Sequence, residues 1–148
     1  MMTSQRNNYH QTAPHVFKAL YALEQTQAAF PLEASLRELI KVRASQLNGC
    51  ALCLDMHGAD ALQRGESARR LLALGAWEDA PCFSARERAA LLWTDSLTLL
   101  AERHAPDAVY EAVAAQFDER EIAELTLAIA TINLWNRFGV GFAMQPTN

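Results

Sequence analysis

Two cysteines and a histidine share the short stretch Cys50-Ala-Leu-Cys53-Leu-Asp-Met-His57, whose side chains could carry out sulfur chemistry. Wound as an α-helix at about 100° per residue, Cys53 and His57 lie roughly 300° and 340° round from Cys50, so both sulfurs and the imidazole fall on a stripe about 60° wide. Asp55 points elsewhere. Cysteines three residues apart can close a disulfide within one turn, which makes them a two-electron redox couple. The nucleophile in such chemistry is the thiolate, and a free thiol with pKa about 8.5 is only a few per cent ionised near neutrality. Asn48-Gly49 closes one predicted helix directly before Cys50. Cys50 therefore opens the next helix, where unpaired backbone N–H groups favour an anion. A drop of ~2 units in thiol pKa, worth about 2.7 kcal/mol, leaves most of the sulfur ionised. His57, four residues after Cys53, is placed to take its proton directly or through water. Such a base needs an orienting partner, and Glu38, on the preceding helix folded back, is the candidate.

The same residues have blander uses. Paired cysteines can be small buried hydrophobes, and Glu38 can be no more than an i,i+3 partner of Lys41. Zinc takes four ligands; Cys50, Cys53 and His57 supply three, and the only obvious fourth, Cys82, lies in a distant loop. Haem attachment needs the histidine adjacent to C-x-x-C, and here three residues intervene.

The elements that must position these groups read as helices throughout. The chain has 148 residues, about one domain. It holds 27 Ala and 20 Leu against 4 Ile and 5 Val, which favours helix over strand. Pro14 suits a first helical turn, and apolar spacing carries that helix to about Ala29. Further helices are predicted over 33–47, from Cys50 to Gly65, and over 67–75, with a loop at 76–83. Ser84 with Glu87, and Asp118 with Glu121, are capping-box pairs. The first opens a helix to about His104, and the second opens a long apolar helix to about Val140. Between them Pro106 precedes a helix over Asp107–Gln116. Residues 1–12 are polar and are expected to form a flexible N-terminal segment, leaving 13–148 as a single all-helical domain. In the last helix Ile122, Leu125, Leu127, Ile129, Ile132, Leu134, Trp135 and Phe138 cover more than one face, the pattern of a helix buried on both sides. The second side is expected to meet another subunit; the alternative is a central core helix. Asn133, Asn136 and Arg137 within it are expected to satisfy buried hydrogen bonds or an intersubunit pair, a role around the Cys pocket being the lesser reading. Trp77, Trp93 and Trp135 read as core or interface anchors, His10, His15 and His104 as surface residues, and Cys82 as a bystander thiol.

Hydrophobic residues make up 51% and charged residues 20%, with a net charge of −4. No cationic footprint for nucleic acid is present. No apolar run approaches the ~20 residues of a membrane span, and no secretory leader is evident. A reducing cytoplasm is the expected location.

Glu38, eleven residues, Cys50-x-x-Cys53, three residues, His57 resembles the core motif of the AhpD-like proteins within the carboxymuconolactone decarboxylase superfamily. Leu39–Gly49 before it, Ala61–Glu66 after it, Phe83–Leu91 and Ile132–Arg137 resemble the single-motif branch of that family. The resemblance implies an all-helical subunit, assembled as a trimer or hexamer. It implies a thiol-dependent peroxidase or disulfide reductase working without metal, haem or flavin. Cys50 and Cys53 would be the redox pair, His57 the proton acceptor and Glu38 its relay partner. The implied partners are a peroxide substrate and an external dithiol, from a lipoylated or thioredoxin-like protein. One position departs: where the characterised peroxidase of the family carries a second relay histidine, this chain has Leu52. Helix position favours Cys50 as the attacking sulfur, whereas the histidine spacing and the family relay favour Cys53. The reading taken is Cys53 as peroxidatic and Cys50 as resolving thiol. Alternatives are a protein disulfide reductase and a redox-sensing assembly module of the same fold.

Overall fold

The computed structural model describes residues 4–147, and among these the chain forms nine α-helices and no strand. They are α1 (Tyr9–Thr12), α2 (Pro14–Thr26), α3 (Ala34–Asn48), α4 (Ala51–Gln63), α5 (Ala68–Ala73), α6 (Ala85–Thr98), α7 (Leu100–Arg103), α8 (Asp107–Ala114) and α9 (Glu119–Gly141). Short 3₁₀ turns follow α2 and α5. Both capping boxes form: Ser84 with Glu87 starts α6, and Asp118 with Glu121 starts α9.

Helix α3 packs against α4, α6 and α9. Its face Leu36, Ile40 and Ala44 joins Ala90 and Trp93 of α6 and Leu125, Ile129 and Ile132 of α9 in the main core. A second cluster, Leu39, Val42, Leu74, Trp77, Phe83 and Leu91, fills the other flank of α3. Trp77 and Trp93 are thus core anchors, while Trp135 packs at the core edge. Helix α9 contacts α2, α3, α4, α6 and α8. Its apolar faces are therefore covered in large part by the same chain, as in a central core helix, while Leu127 and Leu134 stay only partly buried and Val140 is exposed.

Two expectations change. Tyr9–Thr12, within the segment expected to be flexible, is helical, and Tyr9 is 3% exposed. Its ring lies 4.8 Å from Phe138 and 5.7 Å from Phe142, and the Arg6 N–H donates to the Phe142 carbonyl at 2.9 Å. One aromatic ring buries enough apolar area to dock an otherwise polar segment; residues 1–3 lie outside those described. The helix expected to run to His104 ends at Thr98. Leu99 leaves helical geometry, and the adjacent Thr98 hydroxyl accepts from Asn133 on α9 at 2.9 Å. The break thus coincides with a tertiary contact rather than with a local breaker residue.

Candidate functional site

Gly49 makes the site possible. It adopts φ +64°, a left-handed conformation that glycine adopts without steric cost. The Gly49 N–H donates to the Gln46 carbonyl and the Cys50 N–H to the Ser45 carbonyl, closing the end of α3. The chain then turns back as α4 along α3. Cys50 is the N-cap of α4, with its Sγ accepting the Cys53 N–H at 3.3 Å. The two sulfurs are joined as a disulfide, with Cα atoms 5.3 Å apart. Cys50 therefore sits at the helix start, as its position after Asn48-Gly49 predicted.

The reversal sets Glu38 of α3 beside His57 of α4. Glu38 Oε2 faces His57 Nδ1 at 3.6 Å, and both atoms are buried without a hydrogen bond of their own. Glu38 Oε1 faces Lys41 Nζ at 3.5 Å and Arg64 Nε at 3.8 Å. Burial pushes the Glu38 carboxyl up, but His57, Lys41 and Arg64 together outweigh it, and the net direction is below the usual carboxylate range. Glu38 is thus held as an anion against the imidazole. The two readings of Glu38, partner of Lys41 or of His57, hold simultaneously because its two oxygens face different groups.

A cavity of about 380 Å³ opens beside this pair. Phe17, Tyr21, Trp135 and Phe138 supply much of its apolar wall, and Glu24, Lys41, His57 and Asp60 its polar groups. Cys53 and Leu52 line it. Cys50 does not; it is 1% exposed and packs against α9. Lys41 Nζ donates to Glu24 Oε1 at 2.9 Å, and Trp135 Nε1 donates to Glu24 Oε2 at 3.1 Å. A chain of polar groups therefore runs from His57 through Glu38 and Lys41 to Glu24. The wall can hold an apolar molecule against Cys53, and His57, with the Glu38 carboxylate behind it, is placed to accept a proton.

The turn carrying Cys50 is tied to α9. Asn48 Nδ2 donates to both Asn133 Oδ1 and Asn136 Oδ1 at 2.9 Å, and Asn136 Nδ2 donates to Ser45 Oγ at 3.0 Å. Asn133 and Asn136 thus satisfy buried hydrogen bonds, as expected of polar residues in an apolar helix. Arg137 donates to the Asn133 carbonyl. Gly139, one turn beyond Asn136, lies directly against the disulfide: a Cβ there would meet Cys50 Sγ at 2.6 Å.

Cys82 is exposed and takes no part; its carbonyl accepts from Arg70. Cys82 does not converge with Cys50, Cys53 and His57. Among the described residues, the group of possible metal ligands that does converge is Glu38, His57 and Asp60. Sequence reasoning missed Asp60, Glu24 and Gly139. Asp60, three residues after His57 on one helix, and a lone glycine inside a 23-residue apolar helix were visible signals. Glu24 was not, since only the docking of α2 brings it in.

An all-helical chain with a C-x-x-C pair beside a buried glutamate and a partly buried histidine fits the AhpD-like class of proteins. Residues 14–96 match the model of the carboxymuconolactone decarboxylase family, and the chain belongs to that family. It is 39% identical over 145 residues to the uncharacterized protein YdfG of Bacillus subtilis, covering 98% of this chain and 99% of that one. A crystal structure of ATU0492 from Agrobacterium tumefaciens, a protein of unknown function for which the antioxidant-defence name AhpD has been put forward, superposes with a TM-score of 0.95 at 41% identity, covering 98% of this chain and 99% of that one. An uncharacterized peroxidase-related protein from Silicibacter sp. superposes with a TM-score of 0.79 at 27% identity, over 90% of this chain and 71% of that one. The fold class, the family and the C-x-x-C pair agree with the resemblance read from the sequence.

Proposed function

We propose that this protein is a thiol-dependent peroxidase that reduces hydroperoxides through a dithiol–disulfide cycle. The observation that carries the reading is that Cys53 opens onto an apolar cavity that His57 also lines, with an ionised Glu38 behind the imidazole. His57 takes the Cys53 proton, and Glu38 stabilises the imidazolium. The Cys53 thiolate attacks the distal peroxide oxygen. The O–O bond breaks, the alkoxide leaves and takes a proton as the alcohol, and Cys53 becomes a sulfenic acid. The Cys50 thiolate, favoured at the N-terminus of α4, then attacks the sulfenic sulfur, expelling hydroxide and closing the disulfide. An external dithiol returns both thiols and is itself oxidised. Access therefore selects Cys53 as attacker, and the helix end prepares Cys50 as resolver. The apolar wall suits an organic hydroperoxide over hydrogen peroxide.

The cycle uses no resident metal, haem or flavin. Its reductant is a dithiol on a lipoylated or thioredoxin-like protein, and the working form is a cytoplasmic homo-oligomer, a trimer or hexamer. No helix among the described residues is long and apolar enough to cross a membrane. Leu52 on the cavity wall, in place of a proton-carrying histidine, favours a second reading, disulfide exchange with a protein partner.

Peroxide added to the reduced protein is expected to consume two thiols per chain. Cys53→Ser abolishes this, and His57→Ala and Glu38→Ala slow it by about 10²-fold or more. A wild-type rate no faster than that of free cysteine contradicts the peroxidase. Turnover of a small disulfide without turnover of peroxide selects the second reading.

A further inference from the structure

Gly139 occupies the middle of the last turns of α9, where glycine weakens a helix relative to alanine. The other helical glycines, Gly58 on α4 and Gly141 at the end of α9, have no atom within 4 Å of the point where a Cβ would stand. At Gly139 that point lies 2.6 Å from Cys50 Sγ and 3.5 Å from Cys53 Sγ. The first distance is well inside van der Waals contact, so the space that a Cβ would take is filled by the sulfur.

The sulfur has nowhere to retreat while the disulfide is closed. Cys50 Sγ is bonded to Cys53 and accepts the Cys53 N–H at 3.3 Å. Its backbone is fixed from both sides, the Cys50 N–H donating to the Ser45 carbonyl and the Cys50 carbonyl accepting from Leu54. Ser45 and Asn48 are in turn bound to Asn136 and Asn133 of α9, so α9 cannot easily withdraw. In the dithiol, the S–S bond no longer fixes Cys50 χ1, and the sulfur can rotate to another staggered position. A methyl group at residue 139 therefore burdens the disulfide more than the dithiol.

We infer that Gly139 is a positioning residue for the redox pair: by leaving α9 bare against Cys50, it holds the equilibrium toward the disulfide. The inference rests on the pair cycling between dithiol and disulfide, as in the proposed function, but not on peroxide as the oxidant. Replacing Gly139 by alanine shifts the balance toward the dithiol and makes the pair a stronger oxidant.

The test is a redox titration of the full chain in glutathione buffers, read by alkylation and mass, in a Cys82→Ser background. Gly139→Ala is expected to lower the equilibrium constant for disulfide formation by tenfold or more, a rise of about 30 mV per tenfold for a two-electron couple. Gly58→Ala, with open space around it, is expected to leave the equilibrium within twofold. A folded Gly139→Ala protein whose equilibrium also stays within twofold of wild type overturns the inference. Should Gly139→Ala not fold when oxidised, Cys50→Ala in the same chain removes the opposing sulfur. Recovery of folding supports the contact as stated, and persistent unfolding overturns it. Failure of peroxide turnover with a normal titration would instead count against the peroxidase alone.

Discussion

Two carboxylates are buried at α3, one on it and one packed against it, and their surroundings differ in kind. Asp95 of α6 is fully buried. It accepts Arg43 Nε at 2.8 Å and Arg43 Nη2 at 2.9 Å on its two oxygens, and Trp77 Nε1 at 3.1 Å. Glu38 is 6% exposed, yet its cationic and imidazole neighbours all stand at 3.5 to 3.8 Å. A forked guanidinium stays charged at any ordinary pH and fixes its partner in one geometry. An imidazole can exchange its proton, and a carboxylate facing it at slightly more than hydrogen-bond distance can tighten when the charge appears. Asp95 is thus a charge buried for architecture, and under the proposed function Glu38 is one buried for chemistry. Satisfied hydrogen bonds mark the first, and a titratable partner beside a cavity marks the second.

The largest effect expected from this contrast is on stability. Asp95→Ala leaves Arg43 buried without its partner and is expected to cost about 3–5 kcal/mol, measured by denaturant unfolding. Glu38→Gln is expected to change unfolding by about 1 kcal/mol or less while slowing peroxide-dependent thiol loss by about 10²-fold, the range for losing general-base assistance. Equal stability costs at the two sites would erase the distinction. The smallest effect is in pH. The carboxyl of Glu38 is held below its ordinary value in the folded chain, so its contribution is fully present above the unfolded pKa of about 4.3 and is lost as pH falls through the lower folded pKa. Glu33 and Glu121, paired with Arg86, move in the same direction. Acid unfolding curves should therefore flatten slightly in Glu38→Gln and again in Arg86→Met, and an unchanged slope in both would contradict the assignment.

Much of this was legible in the sequence because it is local. Capping pairs at Ser84–Glu87 and Asp118–Glu121, the break at Gly49, and the shared stripe of Cys53 and His57 depend on residues a turn or so apart. The convergence of Glu38 with His57 was readable as well, since a glycine reversal after α3 folds α4 back along it. What escaped reading depends on partners distant in sequence. Tyr9 is buried by Phe138 and Phe142, Lys41 is turned toward Glu24 by α2, and Asp95 meets Arg43 across two helices. Helix α9 shows the limit of pattern reading most clearly. Apolarity on several faces signals burial, but not whether the same chain or another provides the cover; here α2, α3, α4, α6 and α8 contribute much of it and leave Leu127 and Leu134 partly exposed.

The proposed chemistry requires Cys53 to be an activated thiol facing the cavity, with Glu38 acting through His57. Its sharpest test is the rate of alkylation of Cys53 against pH, measured in Cys50→Ser/Cys82→Ser protein with and without Glu38→Gln. Cys53 is expected to titrate below the free-thiol value of about 8.5, and Glu38→Gln is expected to move the titration upward. A Cys53 titration at or above the free-thiol value, indifferent to Glu38→Gln, would contradict that chemistry.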